Sequence, residues 1–331
     1  MYRLLRPFLF YLDPESAHRL TLNALRFAGN FSWLLAQLYQ APAKPVRAFG
    51  LTFKNPIGLA AGYDKDALAI RGLAALGFGH LEIGTVTPLP QAGAPRPRLF
   101  RLTEDEAVIN RMGFPSQGMS KVEGRMSNAV GRRMVIGVNL GKNKDTPLEE
   151  ATSDYVALMR RFMLRADYLT INISSPNTVG LRRLQGREML EGLLGAIAEE
   201  RQRSKVKCPI LVKISPDLND EELDDVVGVI LDKKMDGIIA TNTTLAREGL
   251  RSTRQIESGG LSGDPLRARS EAVLGRLVKR VAGKVPIVSV GGIMNPEDAK
   301  RRLEMGATLI QIYSGLIYRG PSLVRDIVRS L

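Results

Sequence analysis

Eight short, almost wholly apolar runs alternate with amphipathic stretches from residue 56 to the end of the chain, and this rhythm constrains the fold most. The runs are PIGLAAG (56–62), HLEIGTV (80–86), VIGVNL (135–140), YLTINIS (168–174), ILVKIS (210–215), GIIATNT (237–243), PIVSVGG (286–292) and LIQIYSG (309–315). Near-continuous apolar character is expected of parallel strands buried on both faces. Helical patterns lie between them, for example at 187–204, 219–234, 266–282 and 296–305, and 321–330 follows the last run. Eight β and eight α stretches over about 285 residues predict an α/β fold, the TIM (β/α)8 barrel. An open doubly wound sheet is the alternative, but no G-x-G-x-x-G follows the first run. Ahead of the barrel, VRAFGLTFKNP (46–56) predicts a short hairpin.

The first 45 residues differ. Leu4, Leu5, Phe8, Leu9 and Leu12 fall at helical spacing with Arg3 and Arg6 beside them. Asp13–Pro14 predicts an N-cap followed by proline at the first helical position. The second helix is expected to carry Ala17, Leu20, Ala24, Phe27 and Ala28 on one side, and Phe31 to Tyr39 is again apolar. The apolar run before Asp13 is too short for a signal peptide. The longest uncharged run, Phe27–Ala43, holds Gly29, Asn30, Gln37, Gln40 and Pro42, which argues against a membrane span. Two readings stay open: a helical hairpin packed on the barrel, or an interfacial hairpin that dips into lipid while Arg3, Arg6, Arg19 and Arg26 meet headgroups. The expected boundaries are 1–45 for this extension and 46–331 for the barrel.

The 331 residues include one cysteine, Cys208, and two histidines, His18 and His80. No intramolecular disulfide and no Cys- or His-built zinc or iron–sulfur site can be assembled from these. Chemistry must come from a cofactor or from Ser, Lys and Asn. The formal net charge is +13, which points to an anionic partner: nucleic acid, a membrane surface or phosphate-bearing ligands. The basic residues are scattered, as in the pairs Arg132–Arg133, Arg160–Arg161 and Arg182–Arg183, and few aromatics lie among them, which weakens the nucleic-acid reading.

Barrel function sits at the carboxyl ends of the strands. In order these carry Ala60, Ala61, Gly62, Tyr63, Asp64 and Lys65; Gly84 and Thr85; Asn139; Asn172, Ser174, Ser175, Pro176 and Asn177; Lys213; Thr241, Asn242 and Thr243; Gly291 and Gly292; and Tyr313, Ser314 and Gly315. The set lacks carboxylate pairs, which argues against glycosidase chemistry, and it lacks metal ligands. Converging asparagines suit a planar heterocycle with N–H and C=O edges. Gly291–Gly292, Ser314–Gly315 and a loop at Gly259–Gly263 are placed to cradle phosphate, or else form only tight turns. Ser175 is either a capped-loop residue or catalytic. Lys65 and Lys213 favour the second reading, because a lysine on a barrel strand is costly to bury unless used.

Ten motifs, in order along the chain from residue 58 to 315, resemble the dihydroorotate dehydrogenase family, in its quinone-dependent, membrane-associated class 2. They are GLAAGYDKD (58–66), EIGTVTP (82–88), PRLFRL (97–102), INRMGF (109–114), GVNLGKNKDTP (137–147), INISSPNT (171–178), ATNTT (240–244), GGLSG (259–263), VGGI (290–293) and QIYSG (311–315). The resemblance implies FMN in the barrel, oxidation of dihydroorotate to orotate in pyrimidine (UMP) biosynthesis, and a quinone (ubiquinone or menaquinone) as electron acceptor. It implies cofactor contacts from Ala61, Gly62, Tyr63, Asp64, Lys65, Thr85, Asn139, Asn172, Lys213, Thr241, Gly263, Gly292, Tyr313 and Ser314. Substrate contacts would come from Lys65, Asn110, Arg111, Met112, Gly113, Phe114, Asn172, Asn177, Asn242 and Thr243. Ser175 would be the general base, with Thr178 relaying the proton and Lys65 and Lys213 offsetting charge. His18, Arg101 and Tyr313 would stand between the quinone path and the flavin, with residues 1–45 as the membrane and quinone-access part.

The same resemblance implies a monomeric, peripheral protein on the cytoplasmic face of a bacterial membrane, with no metal and no nucleic acid. Pro115 and Ser116 depart from a family preference for asparagines there, and Tyr63 replaces an aliphatic residue or Phe. Cys208, just before the fifth run, is at the wrong end of the barrel for a base and reads as a structural thiol. A tRNA dihydrouridine synthase, suggested by the charge, would use a loop cysteine that this chain lacks. A non-redox phosphate-binding barrel or membrane-bound scaffold is the remaining alternative.

Overall fold

A computed structural model of the chain describes residues 2–127 and 134–331, so the pair Arg132–Arg133 lies outside the described residues. The eight apolar runs form eight parallel strands: β1 (Ile57–Leu59), β2 (His80–Val86), β3 (Val135–Leu140), β4 (Tyr168–Asn172), β5 (Ile210–Ile214), β6 (Gly237–Ala240), β7 (Ile287–Val290) and β8 (Leu309–Ile312). They pair in sequence order and close, β8 against β1, into a barrel. The expected (β/α)8 fold is the one found. The expected helices follow their strands, at Arg187–Ser204, Asp220–Asp232, Arg267–Val281, Pro296–Glu304 and Ser322–Ser330. Local chemistry sets their starts: Asn219 and Glu222 form a capping box, and Asn295 caps a helix with Pro296 in its first turn.

The barrel's amino end is closed by the expected hairpin, Val46–Ala48 paired with Leu51–Phe53. Phe53 is fully buried there, edge-on to the buried His80 ring. The carboxyl end carries a roof that the periodicity did not reveal. Leu99–Leu102, Ala107–Asn110 and Gly260–Gly263 form a three-stranded antiparallel sheet. The expected phosphate loop at Gly259–Gly263 is therefore largely a strand. Its single apolar residue, Leu261, gives no local strand pattern, and pairing with a segment far away in the chain imposes the conformation.

The extension folds as three helices: α1 (Tyr2–Tyr11), α2 (Pro14–Ala28) and α3 (Ser32–Tyr39). Asp13 caps α2 by accepting the Ser16 N–H. The expected single face of α2 is split: Ala17, Ala24 and Ala28 line a cavity, while Leu20 and Phe27 face outward. Small residues face inward because α2 walls the cavity instead of filling it. Leu4, Phe8 and Tyr11 on α1 and Trp33 and Leu38 on α3 are likewise exposed, Leu4 by 84% and Tyr11 by 91%. No helix among the described residues is long and apolar enough to cross a membrane.

Candidate active site

At the carboxyl end of the barrel, beneath the roof, lies a polar cavity of about 1040 Å³, its open mouth included. The strand ends supply Ala61, Gly62 and Lys65, then Thr85, Asn172, Ser175, Asn177, Lys213, Thr241, Asn242, Thr243, Gly292, Tyr313 and Ser314. The roof and its loops add Asn110, Met112, Gly113, Phe114 and Gly263. Seven of the eight strand ends and the roof thus meet at one place, with β3 one layer below.

The floor is an ordered amide network. Asn172 donates through Nδ2 to Asn139 Oδ1 at 2.9 Å and to Thr85 Oγ1 at 3.0 Å. Thr85 Oγ1 donates to the same Asn139 oxygen at 2.6 Å, and Asn139 Nδ2 donates to Glu82 Oε1 at 2.7 Å. Gln311 Nε2 reaches Glu82 Oε2 at 2.8 Å. Strand register explains this layering, since Gly84 pairs with Asn139 and Asn172 with Lys213. Glu82 is a buried acid at the barrel centre that the sequence reading passed over. A charged residue within an apolar run was the signal that could have found it. On the opposite wall Asn177 donates to Asn110 at 2.9 Å, and the Ser262 and Ser314 hydroxyls are 2.9 Å apart.

Lys65 and Lys213 both face this cavity, and among the described residues neither has a hydrogen-bond or ion-pair partner. Burial pushes the Lys65 ammonium down to about 8, against the pull of Asp66, and burial also lowers Lys213, against Glu82. Two buried lysines left without acceptors suit an anionic occupant. Ser175 is buried, and its Oγ accepts the Asn177 N–H at 3.3 Å. Thr178 is also buried, with a hydroxyl that finds no partner among the described residues.

Several expected contacts are redirected. Asn139 is fully buried, one layer below the cavity wall. Asp64 turns its carboxylate to the N–H groups of Leu68 and Ala69, holding the loop after β1. Arg111 points away, pairing with Glu257 at 2.6 Å and stacking over Phe100. Tyr63 belongs to a second cavity.

That cavity, about 1460 Å³ with its open mouth, is predominantly apolar and lies between the three N-terminal helices and the barrel. His18, Arg101 and Tyr313 all line it, with Tyr2, Leu5, Tyr63 and Leu316. Burial and the nearby Lys65 push His18 down to about 4, so its ring is neutral at pH 7. Arg101 donates to the Leu12 carbonyl and lies 4.7 Å over the Phe10 ring, tying the hairpin to the roof. Leu99, Val108 and Tyr313 line both cavities and form the partition between them.

His80, fully buried at the amino end, is remote from both, with neither ring nitrogen partnered among the described residues. Cys208 is a buried free thiol just before β5, pushed up to about 12 by burial. Neither is placed for catalysis.

A family model described as dihydroorotate dehydrogenase matches residues 45–331. The chain belongs to the dihydroorotate dehydrogenase family. It is 51% identical to the dihydroorotate dehydrogenase (quinone) of Acidithiobacillus ferrooxidans over the whole of this chain and 94% of that protein. It is 48% identical to the protein of the same name from Nitrosomonas europaea, across this whole chain and 97% of that one. Among solved structures, the dihydroorotate dehydrogenase of Eimeria tenella in complex with ferulenol is 40% identical, with a TM-score of 0.85 over 96% of this chain and 90% of that one. The match to quinone-named relatives runs through the extension as well as the barrel, so this dihydroorotate dehydrogenase family member falls in the quinone-linked class and is an oxidoreductase.

Proposed function

We propose that this chain oxidises dihydroorotate to orotate in pyrimidine (UMP) biosynthesis, with FMN and dihydroorotate in the polar cavity and a membrane quinone in the apolar one. The observation that carries this reading is the partition: a cavity lined by asparagines, lysines and glycines and a predominantly apolar one share Leu99, Val108 and Tyr313. A flavin fits the walls. A Cβ on Gly292 or Gly263 would run into backbone, at Arg267 or at Glu106 and Ala107, so the chain is packed close around a glycine cradle. Two lysines without a partner among the described residues face the same space, and a flat amide floor supports a planar ring.

Conversion to orotate removes a proton from C5 and a hydride from C6, leaving the C5=C6 double bond. When bound, FMN supplies the two-electron acceptor for that hydride. Ser175 Oγ takes the C5 proton as its own hydroxyl proton leaves, and the Asn177 N–H beside it stabilises the negative charge that develops on that oxygen as its proton departs. Thr178, whose hydroxyl is free to donate or accept, passes the proton onward with water. Lys65 faces the negative charge that builds on the substrate, and Lys213 presents its ammonium to the cofactor end. Asn110, Asn172, Asn177 and Asn242 hold the substrate ring in plane, where Met112, Gly113, Phe114 and Thr243 close the wall.

Residues 1–45 form the quinone-access and membrane-facing part of a monomeric peripheral protein on the cytoplasmic face of a bacterial membrane. Support comes from the exposed Leu4, Phe8, Phe27 and Trp33 with the arginines Arg3, Arg19 and Arg26 near them. The test is anaerobic. The purified protein should be yellow with about one flavin per chain, dihydroorotate should bleach it, and quinone in detergent should restore the colour. A colourless protein, or a flavin that dihydroorotate does not bleach, overturns the reading. Removing residues 1–44 should leave FMN bound and abolish reoxidation by a long-chain quinone.

A further inference from the structure

Glu15 lies one turn before His18 on α2, yet its carboxylate reaches out of the hairpin. Oε1 accepts from Arg98 Nη2 at 2.8 Å and from Arg96 Nη2 at 2.9 Å, and Oε2 accepts from Arg98 Nε at 3.2 Å. The Arg98 side chain is only 8% exposed and Glu15 15%, whereas Arg96 is 62% exposed. Arg98 uses its remaining nitrogen, Nη1, on the carbonyls of Ala92 at 2.6 Å and Ala94 at 2.9 Å. That segment is strapped to the polar cavity's wall: the Ala94 N–H donates to the Met112 carbonyl, and the Arg111 N–H to the Arg98 carbonyl, each at 2.9 Å. A Cβ on Gly93 would meet Met112 and Arg98, so strap and wall have no spare room between them. One guanidinium therefore links α2, which walls the apolar cavity, to Met112, which walls the polar one.

We infer that the Glu15–Arg98 pair is a positioning device that makes seating of the N-terminal hairpin a condition for full affinity of the polar cavity for dihydroorotate. This rests on the proposed assignment of that cavity to dihydroorotate. Neither residue touches the reacting atoms. The guanidinium fork is rigid, so the two bonds to Glu15 fix the direction of the bonds to Ala92 and Ala94. Without the carboxylate, a nearly buried cation would be left with neutral carbonyls alone, and it gains by turning to water. The strap then loses its anchor, and Met112 to Phe114 lose theirs. Coupling of this kind is reciprocal, so ligand in the polar cavity should in turn hold the hairpin down.

The experiment uses full-length holoenzyme and the anaerobic half-reaction with dihydroorotate, which needs no quinone. Glu15→Gln should weaken dihydroorotate binding roughly tenfold, with the limiting rate of flavin reduction within about twofold of the parent. Arg98→Lys keeps the charge and breaks the fork, and should weaken binding by a similar factor. The double variant should be no worse than either single one. In the parent protein, saturating orotate should slow proteolysis within residues 1–45, and in Glu15→Gln it should not. Unchanged dihydroorotate affinity in both single variants overturns the inference, and a lower melting temperature with unchanged affinity marks the pair as merely structural and overturns it too. Should the parent flavin itself not be bleached by dihydroorotate, the assignment of the cavity fails instead.

Discussion

The rings of Tyr63 and Tyr313 meet edge to face with centroids 5.7 Å apart, and His18 closes the stack from the α2 side at 5.0 Å from Tyr63. Tyr313 lines both cavities, while Tyr63 lines the apolar one alone. Burial raises both phenols and, with Lys65, lowers His18, so the partition is uncharged at neutral pH. Tyr63→Ala is expected to slow flavin reoxidation by quinone about tenfold, with reduction by dihydroorotate within about twofold. Stopped-flow measurement of each half-reaction decides this, and equal loss in both would refute a role confined to the partition.

Ser175→Ala should slow flavin reduction by about 10²–10⁴-fold, the usual weight of a general base, with dihydroorotate affinity within a few fold. Single-turnover reduction at saturating substrate is the measurement. A rate equal to the parent's would remove Ser175 from the proton step.

Lys65, pushed down to about 8 chiefly by burial, makes anion binding depend on pH. Its ammonium is present below that value and is lost as pH rises through it. Orotate affinity, followed by the flavin spectrum, should therefore fall above pH of about 8. Lys65→Met should bind orotate weakly with that limb absent. A parent affinity flat to pH 9.5, well above the value for Lys65, would contradict it.

Gly292 sits at φ +70 with the Arg267 backbone where a Cβ would go. Gly292→Ala is expected to lose FMN and to cost about 1–3 kcal/mol of stability. Flavin content after dialysis and the melting temperature of the flavin-free protein separate the two effects. Full flavin retention would exclude close packing around the cofactor.

His80 is fully buried and has no hydrogen-bond partner among the described residues, and burial pushes it down to about 3, below an unfolded value of about 6.5. A depressed histidine contributes nothing adverse above the unfolded value, and stability falls as pH drops below it because the unfolded chain takes up the proton. By pH 5 the loss is about 2 kcal/mol. His80→Leu should flatten the fall in melting temperature between pH 7.5 and 5. Parallel melting curves in parent and variant would show that His80 is not responsible.

The barrel strands were legible because a strand buried on both faces must be apolar nearly throughout, and strand-end chemistry follows once the strands are placed. The strand Gly260–Gly263 was not legible, because its conformation comes from pairing with Ala107–Asn110. Arg111 was expected beside Asn110 at the substrate, yet it lies on Phe100 and Glu257, since successive side chains at a strand end point to opposite sides. Asp64 and Asn139 were likewise expected at the cavity surface, and both serve the layer behind it. Leu20 and Phe27 share an apolar pattern with Ala17, but only packing against the barrel decides which of them faces the cavity.

By itself the sequence determined the alternation of strands and helices, the amide- and lysine-rich strand ends, and an apolar extension with arginines along it. These are local properties, set by which side chains each short segment can bury. Tertiary structure decided that Tyr313 would stand between an amide- and lysine-lined cavity and an apolar one, and that Glu15 would reach past its own hairpin to Arg98. Those relationships join residues far apart in the chain. They exist only once the barrel has closed and fixed where each strand end and each helix face points.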